Sequence, residues 1–288
     1  MKRSYYAFAA FLCLTLTLTL AGCHENNNTV EEQLPITTTQ TKSPEGYEGY
    51  GRYMYDGNSI IIKNMTEEPA LFDTVSAQRV VDAVDCKITS IHIENVRGME
   101  DLSFLEKLNL SKVKECTLLY CDDLNDISIV QKMGALEKLI VIGSPDLTDI
   151  SSVSENKKLM LLNVSCTGLK EIPDMRMKSL TSLIVMDNDL HDISNITPDN
   201  FPKLKGLIVS GNEITDLSPI IGMNDLETVE AVSTTLDHDM FVEVFTNMPQ
   251  TIFYVDLENF TEDQKNNIIA NYSDSNVIYP TGTPVLLS

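Results

Sequence analysis

Between residues 88 and 236 the apolar residues follow neither a helical period nor a simple alternation. They recur as a spaced set. The clearest copy, residues 204–220, places Leu204, Leu207, Val209 and Ile214 at positions 1, 4, 6 and 11, with Asn212 at position 9. The copy before it has Leu180, Leu183, Val185, Asn188 and Leu190, and earlier ones have Leu159, Leu162, Val164, Leu169 and Leu136, Leu139, Val141, Leu147. Degenerate copies start at Ile88, Val113 and Leu226, so the seven starts lie 25, 23, 23, 21, 24 and 22 residues apart. One such unit cannot bury its own apolar positions, so successive units must stack as coils. Positions 3 to 7 then read as a short strand, and the stack as a parallel sheet with strands about 4.8 Å apart.

The flanks carry different patterns. Residues 59–63 (Ser-Ile-Ile-Ile-Lys) predict a strand, and residues 71–84 predict a short helix with Asp73 and Ser76 as candidate caps. Residues 241–247 and 261–272 read as helical, and residues 252–255 and 277–279 as strands. We read 47–87 as an N-terminal strand and helix cap, 88–240 as the repeats, and 241–288 as irregular coils that close the C-terminal end.

With a spacing near 23, position 9 as Asn in two copies, and the turns Asp149-Ile150-Ser151, Asp192-Ile193-Ser194 and Asp216-Leu217-Ser218-Pro219, the chain resembles the leucine-rich-repeat family. It is most similar to the short repeats of bacterial internalin-like proteins. The resemblance implies an α/β solenoid with a parallel sheet on the concave face and short helices or turns on the convex face. It also implies that the concave face recognises a partner. The asparagine is replaced by Cys121, Ser144, Thr167 and Thr234 in other copies, so a less regular ladder is expected.

The first 22 residues follow another logic. Lys2 and Arg3 precede a run rich in Leu, Thr and Phe that ends Leu20-Ala21-Gly22-Cys23. A charged start, an apolar stretch and small residues before a cleavage point read as a secretory signal. The stretch is shorter than the roughly 20 residues of a spanning helix. Its end resembles the lipobox of bacterial lipoproteins, which implies a diacylglycerol on Cys23 and a mature chain held on the outside of a bacterial membrane. Residues 23–46, with Asn26-Asn27-Asn28 and Thr37-Thr38-Thr39, read as a polar linker.

The formal net charge is −21, and loss of Lys2 and Arg3 takes it to −23. That excludes the clustered cations needed to neutralise nucleic-acid phosphates or to lay the body flat on anionic lipid. The membrane is therefore met through the lipid alone. After processing, Cys86, Cys116, Cys121 and Cys166 remain as candidate disulfide partners. Cys116 and Cys121 fall at positions 4 and 9 of one coil, which favours isolated buried thiols. Cys166, at position 8, should be more exposed, and a disulfide from Cys86 stays open.

Catalysis finds little footing, and no cofactor is implied. His24 lies in the linker, and His92, His191 and His238 belong to separate coils, without the nucleophile and orienting partners an active site needs. The acidic groups around Asp187–Asp192 and Asp237–Asp239 read as solvated turn residues rather than metal ligands.

Strand side chains alternate, so with positions 4 and 6 buried, positions 5 and 7 should face out. In the central coils these are Leu119, Ile140, Ile142, Asn163, Ile184, Met186 and Ile208, with Tyr120, Met160 and Leu161 nearby. A contiguous apolar surface of this kind marks an interaction site, and each such side chain gains about 1.5–3 kcal/mol on full burial. A protein ligand is the favoured occupant. Coverage by the chain's own tail, dimerisation through this face and a glycan-binding role resting on Tyr47, Tyr50, Tyr53 and Tyr55 are the alternatives.

Overall fold

The repeat positions become rungs of one sheet. A computed structural model describes residues 51–64, 68–84, 87–257, 260–272 and 277–278. The signal sequence, Cys23, the linker, Tyr47, Tyr50 and Cys86 lie outside the described residues. Strands β4 (Ser90–Arg97), β5 (Glu115–Cys121), β6 (Lys138–Ile142), β7 (Leu161–Ser165), β8 (Ser182–Ile184), β9 (Gly206–Ile208), β10 (Thr228–Ala231), β11 (Ile252–Val255) and β12 (Val277–Ile278) pair in chain order, each parallel to the next. The register aligns Ile91, Cys116, Leu139, Leu162, Leu183, Leu207, Val229 and Phe253 in one column. These are the position 4 residues of the seven copies, continued by Phe253 in an eighth coil. All are buried in one continuous core.

The N-terminal end differs from a plain continuation of the stack. Strand β1 (Gly51–Tyr55) runs antiparallel to β2 (Ser59–Asn64), which then pairs parallel with β4. The hairpin turns at Asp56, whose carboxylate accepts from the N–H groups of Asn58 and Ser59 at 3.0 and 2.7 Å, and at Gly57, with φ at +91°. A two-residue strand β3 (Ala70–Leu71) adds to the far end of β4. The expected helix is α1 (Thr74–Asp82). Asp73 is its N-cap, accepting from Val75 and Ser76 N–H at 3.0 and 3.2 Å and from the Ser76 hydroxyl at 2.6 Å. Phe72, between Tyr53 and Phe104, ties this cap to the first coil.

On the other side of each coil the return path is a turn or a short 3₁₀ helix. Asp101, Asp126, Asp149 and Asp216 each accept from the N–H of the Ser two residues on, at 2.6–2.8 Å, and Asp192 does the same toward Ser194. A short side chain bonding its own backbone two residues later is how Asp fixes a turn. At the C-terminal end α2 (His238–Asn247) and α3 (Glu262–Tyr272) replace such turns. Asp237 caps α2, and Thr261 and Gln264 form a reciprocal capping box at α3. Phe241, Phe245, Phe253 and Phe260 stack against one another and close the core.

Candidate functional site

The concave face is built from positions 3, 5 and 7 of each repeat. Its apolar members form two clusters separate from the main core: Ile140, Ile142 and Leu161 with Leu119 and Tyr120, and Ile184 and Ile208 with Met186. The sheet lies between these clusters and the core, so positions 5 and 7 do point away from it. Their exposure corrects the sequence reading. Ile140, Ile142, Ile184 and Ile208 are only 3, 1, 0 and 4 % exposed, and Asn163 is 1 % exposed. Leu119 and Met186 are partly exposed, and Met160, immediately before β7, is 48 % exposed. Parallel register sets like positions side by side, as in Thr117–Ile140–Asn163–Ile184–Ile208. Side chains one strand spacing apart cover each other's flanks, which alternation along a single strand does not reveal.

Asn163 divides the two clusters. The Ser165 hydroxyl donates to its Oδ1 at 2.6 Å, and both residues are buried. Toward the N-terminal end the face is charged. Glu94 Oε2 meets Lys63 Nζ at 2.7 Å and His92 Nε2 at 3.0 Å, and these bonds, His92 first, hold its carboxyl below the usual range. Toward the C-terminal end Glu230 accepts from the Ser210 hydroxyl at 3.0 Å, but burial dominates and raises its pKa.

One feature was missed in the sequence. Position 8 has a left-handed backbone in all seven copies: Asn95, Tyr120, Gly143, Cys166, Asp187, Gly211 and Ser233 have φ between +52° and +73°. Gly143 and Gly211 are obligatory for a second reason. A Cβ on Gly143 would lie 2.6 Å from the Tyr120 ring, and one on Gly211 would lie 2.1 Å from Asp187 Oδ1. Each glycine thus makes room for the position 8 side chain of the coil before it. Gly, Asn and Asp at this position carry the conformational signal; Tyr120, Cys166 and Ser233 mask it.

Position 9 behaves as its residue types dictate. Asn212 Nδ2 donates to the carbonyls of Val185, Val209 and Ser210, and its Oδ1 accepts from Leu190 N–H. Asn188 repeats this toward Val164, Val185 and Met186, and accepts from Thr167. Thr234 donates to the Ala231 carbonyl, whereas among the described residues the buried Ser144 hydroxyl has no hydrogen-bond partner. Cys116 and Cys121 are buried free thiols, and burial pushes Cys116 up to about 12 and Cys121 higher still. Cys166 is partly exposed, with its sulfur 3.9 Å from Asp187 Oδ2.

The remaining sequence candidates have structural roles. Tyr53 OH accepts from Asp73 N–H at 2.6 Å, Tyr55 OH donates to the Gly57 carbonyl at 3.0 Å, and both rings pack on the core. They are not an open aromatic platform. Asp237 is a helix cap, and His238 packs edge-on against Phe260. His191 pairs with Glu213 in the next coil at 3.2 Å.

No protein-family model matches the chain, and no curated protein matches it by sequence. Solved structures do match in shape. An internalin C2 from Listeria monocytogenes superposes with a TM-score of 0.52 at 17 % identity, over 68 % of this chain and 80 % of that one. An internalin (inlF) from the same organism gives 0.49 at 21 % identity, over 66 % and 58 %. TLR13, in its complex with ssRNA13, gives 0.52 at 15 % identity, over 64 % of this chain and 26 % of that one. The fold is therefore an internalin-like leucine-rich-repeat solenoid.

Proposed function

We propose that this chain is a leucine-rich-repeat binding protein, held outside a bacterial membrane by a lipid on Cys23, that engages a protein partner through the concave face of its sheet. The observation that carries the binding reading is the pair of apolar clusters on the side of the sheet away from the core. Their outer members Leu119, Tyr120 and Met186 are partly exposed, and the exposed Met160 lies beside Leu161. A sheet face with no structural duty toward the main core does not need isoleucine at four of its central positions. The anchoring reading rests on Leu20-Ala21-Gly22-Cys23 and on the polar stretch after it. A protein ligand is favoured over RNA because acidic residues outnumber Lys and Arg by 42 to 21. It is favoured over a glycan because Tyr53 and Tyr55 already spend their hydroxyls internally.

The test is a quantitative capture experiment with residues 24–288, which contain every described element, beside the double variant Leu119→Glu/Met186→Glu. These positions are chosen because they reach solvent. Glutamate at Ile184 would bury a charge and unfold the protein. Circular dichroism establishes that both proteins are folded. A protein retained by the native chain and lost from the variant is the expected result, and identical capture profiles would overturn the reading. Dimerisation through the same face would show as a mass that rises with concentration and falls in the variant.

A further inference from the structure

The second apolar cluster is bordered by two carboxylates that share one support. Ser210 Oγ donates to Glu230 Oε1 at 3.0 Å and accepts from Val232 N–H at 3.0 Å, while the Ser210 carbonyl accepts from Asp187 N–H at 2.9 Å. Asp187 then lays its carboxylate over Gly211, where no Cβ obstructs it. Both acids are partly buried, and burial raises both pKa values. Among the described residues neither is paired with a lysine or arginine, although Glu94 at the other end of the face has Lys63. A carboxylate withdrawn from water without a cation is costly.

The opposite end of the same cluster carries a separate unsatisfied polar group. Ser182, on the same face two residues before Ile184, is 7 % exposed, and its hydroxyl has no hydrogen-bond partner. Its neighbour in the next strand is Gly206, which has no side chain to cover or satisfy it. Buried hydroxyls without partners are uncommon and call for an explanation. The strip from Ser182 through Ile184 and Ile208 to Asp187 and Glu230 therefore offers an unused polar group, an apolar middle and two unneutralised acids.

We propose that this strip is a subsite for a lysine or arginine side chain of the protein partner, with its alkyl stem on Ile208 and Met186 and its charge beside Asp187 and Glu230. The inference rests on the concave-face reading and names the chemistry of its partner there. Long cationic side chains are suited to such a surface, because they cover apolar ground with their methylenes while the head stays polar. The excess of acidic residues on the whole chain steers a basic partner in the same direction.

The test uses octylammonium as the probe and octanol as the control of equal chain length, both below micelle formation and at low ionic strength. Binding is read from the methyl NMR signals of Ile184 and Ile208 in residues 24–288. Saturable shifts with octylammonium, at least tenfold weaker binding of octanol, and loss of that difference in Asp187→Asn/Glu230→Gln are the expected results. Asn tolerates the left-handed backbone at position 187, and Gln can still accept from Ser210, so the variant should keep its fold; an unchanged methyl spectrum in the absence of probe verifies this. Equal binding of the two probes would overturn the cation subsite while leaving the apolar-face reading intact. Methyls that respond to neither probe would overturn the subsite as well, with the capture experiment deciding the apolar face separately.

Discussion

At the scale of the residue, position 9 shows how one side chain comes to matter more than its neighbours. Asn212 satisfies four backbone groups of two adjacent coils. Removing it strands buried donors and acceptors, each worth about 1–3 kcal/mol when left unmet. Asn212→Ala is expected to destabilise the protein by at least about 2 kcal/mol, measured by denaturant unfolding. Ser144 occupies the same position with an orphan hydroxyl, so Ser144→Ala should be neutral or stabilising in the same assay. A loss at Ser144 equal to that at Asn212 would show that position 9 acts through volume rather than hydrogen bonding. The two positions were legible in the sequence as one column. What the column does at each coil was not, because it depends on whether the side chain spans to the next backbone.

At the scale of the element, the repeat pattern served well wherever a residue type has one task. Positions 4 and 6 are apolar because they must be, and the repeat strands followed from them, whereas the α1 cap was read from Asp73 and Ser76 and the C-terminal helices from the separate pattern of the flank. The cap can be tested directly. Asp73→Ala should cost about 1 kcal/mol, seen as a lower unfolding midpoint. Should the midpoint hold steady, packing of Phe72 between Tyr53 and Phe104 would be what sets the helix start. The antiparallel strand Gly51–Tyr55 was not legible, since its tyrosines, glycine and arginine give no clean alternation and its pairing comes from the Asp56–Gly57 turn. The left-handed residue at position 8 was hidden for a related reason. Tyr120, Cys166 and Ser233 are held there by the coil, against their own preference.

For the whole molecule, the concave face carries charge with opposite consequences at its two ends. Glu94 has its pKa lowered by His92 and Lys63, so its contribution to stability is present above the ordinary carboxylate range and is lost as pH falls through the lowered value. Glu230 has its pKa raised by burial, so its charge destabilises the fold above that raised value, and the penalty disappears below the ordinary range. At pH 7, Glu94→Gln should therefore lower the thermal midpoint and Glu230→Gln should raise it, with both differences vanishing in acid. Two shifts of the same sign would mean that hydrogen bonding to Ser210 outweighs burial at Glu230. The outward sheet face was readable from alternation, but the near-complete burial of its isoleucines was not. Exposure there is a property of adjacent coils in register, and no single copy encodes it.

The N-terminal hairpin has a consequence for how such a molecule can change in length. From β4 to β11 each rung pairs with the rung before and the rung after in the same direction, so a unit of about 23 residues can be lost or duplicated within the stack and the flanking rungs still meet in register. At β1 the direction reverses. Among the described residues the parallel register therefore ends at β2, and a coil added beyond it would have to meet a strand of opposite direction. Lineages of this chain should then differ by whole coils between β4 and β10, while the reversed strand and its Asp56–Gly57 turn stay fixed as the boundary from which the repeats are counted.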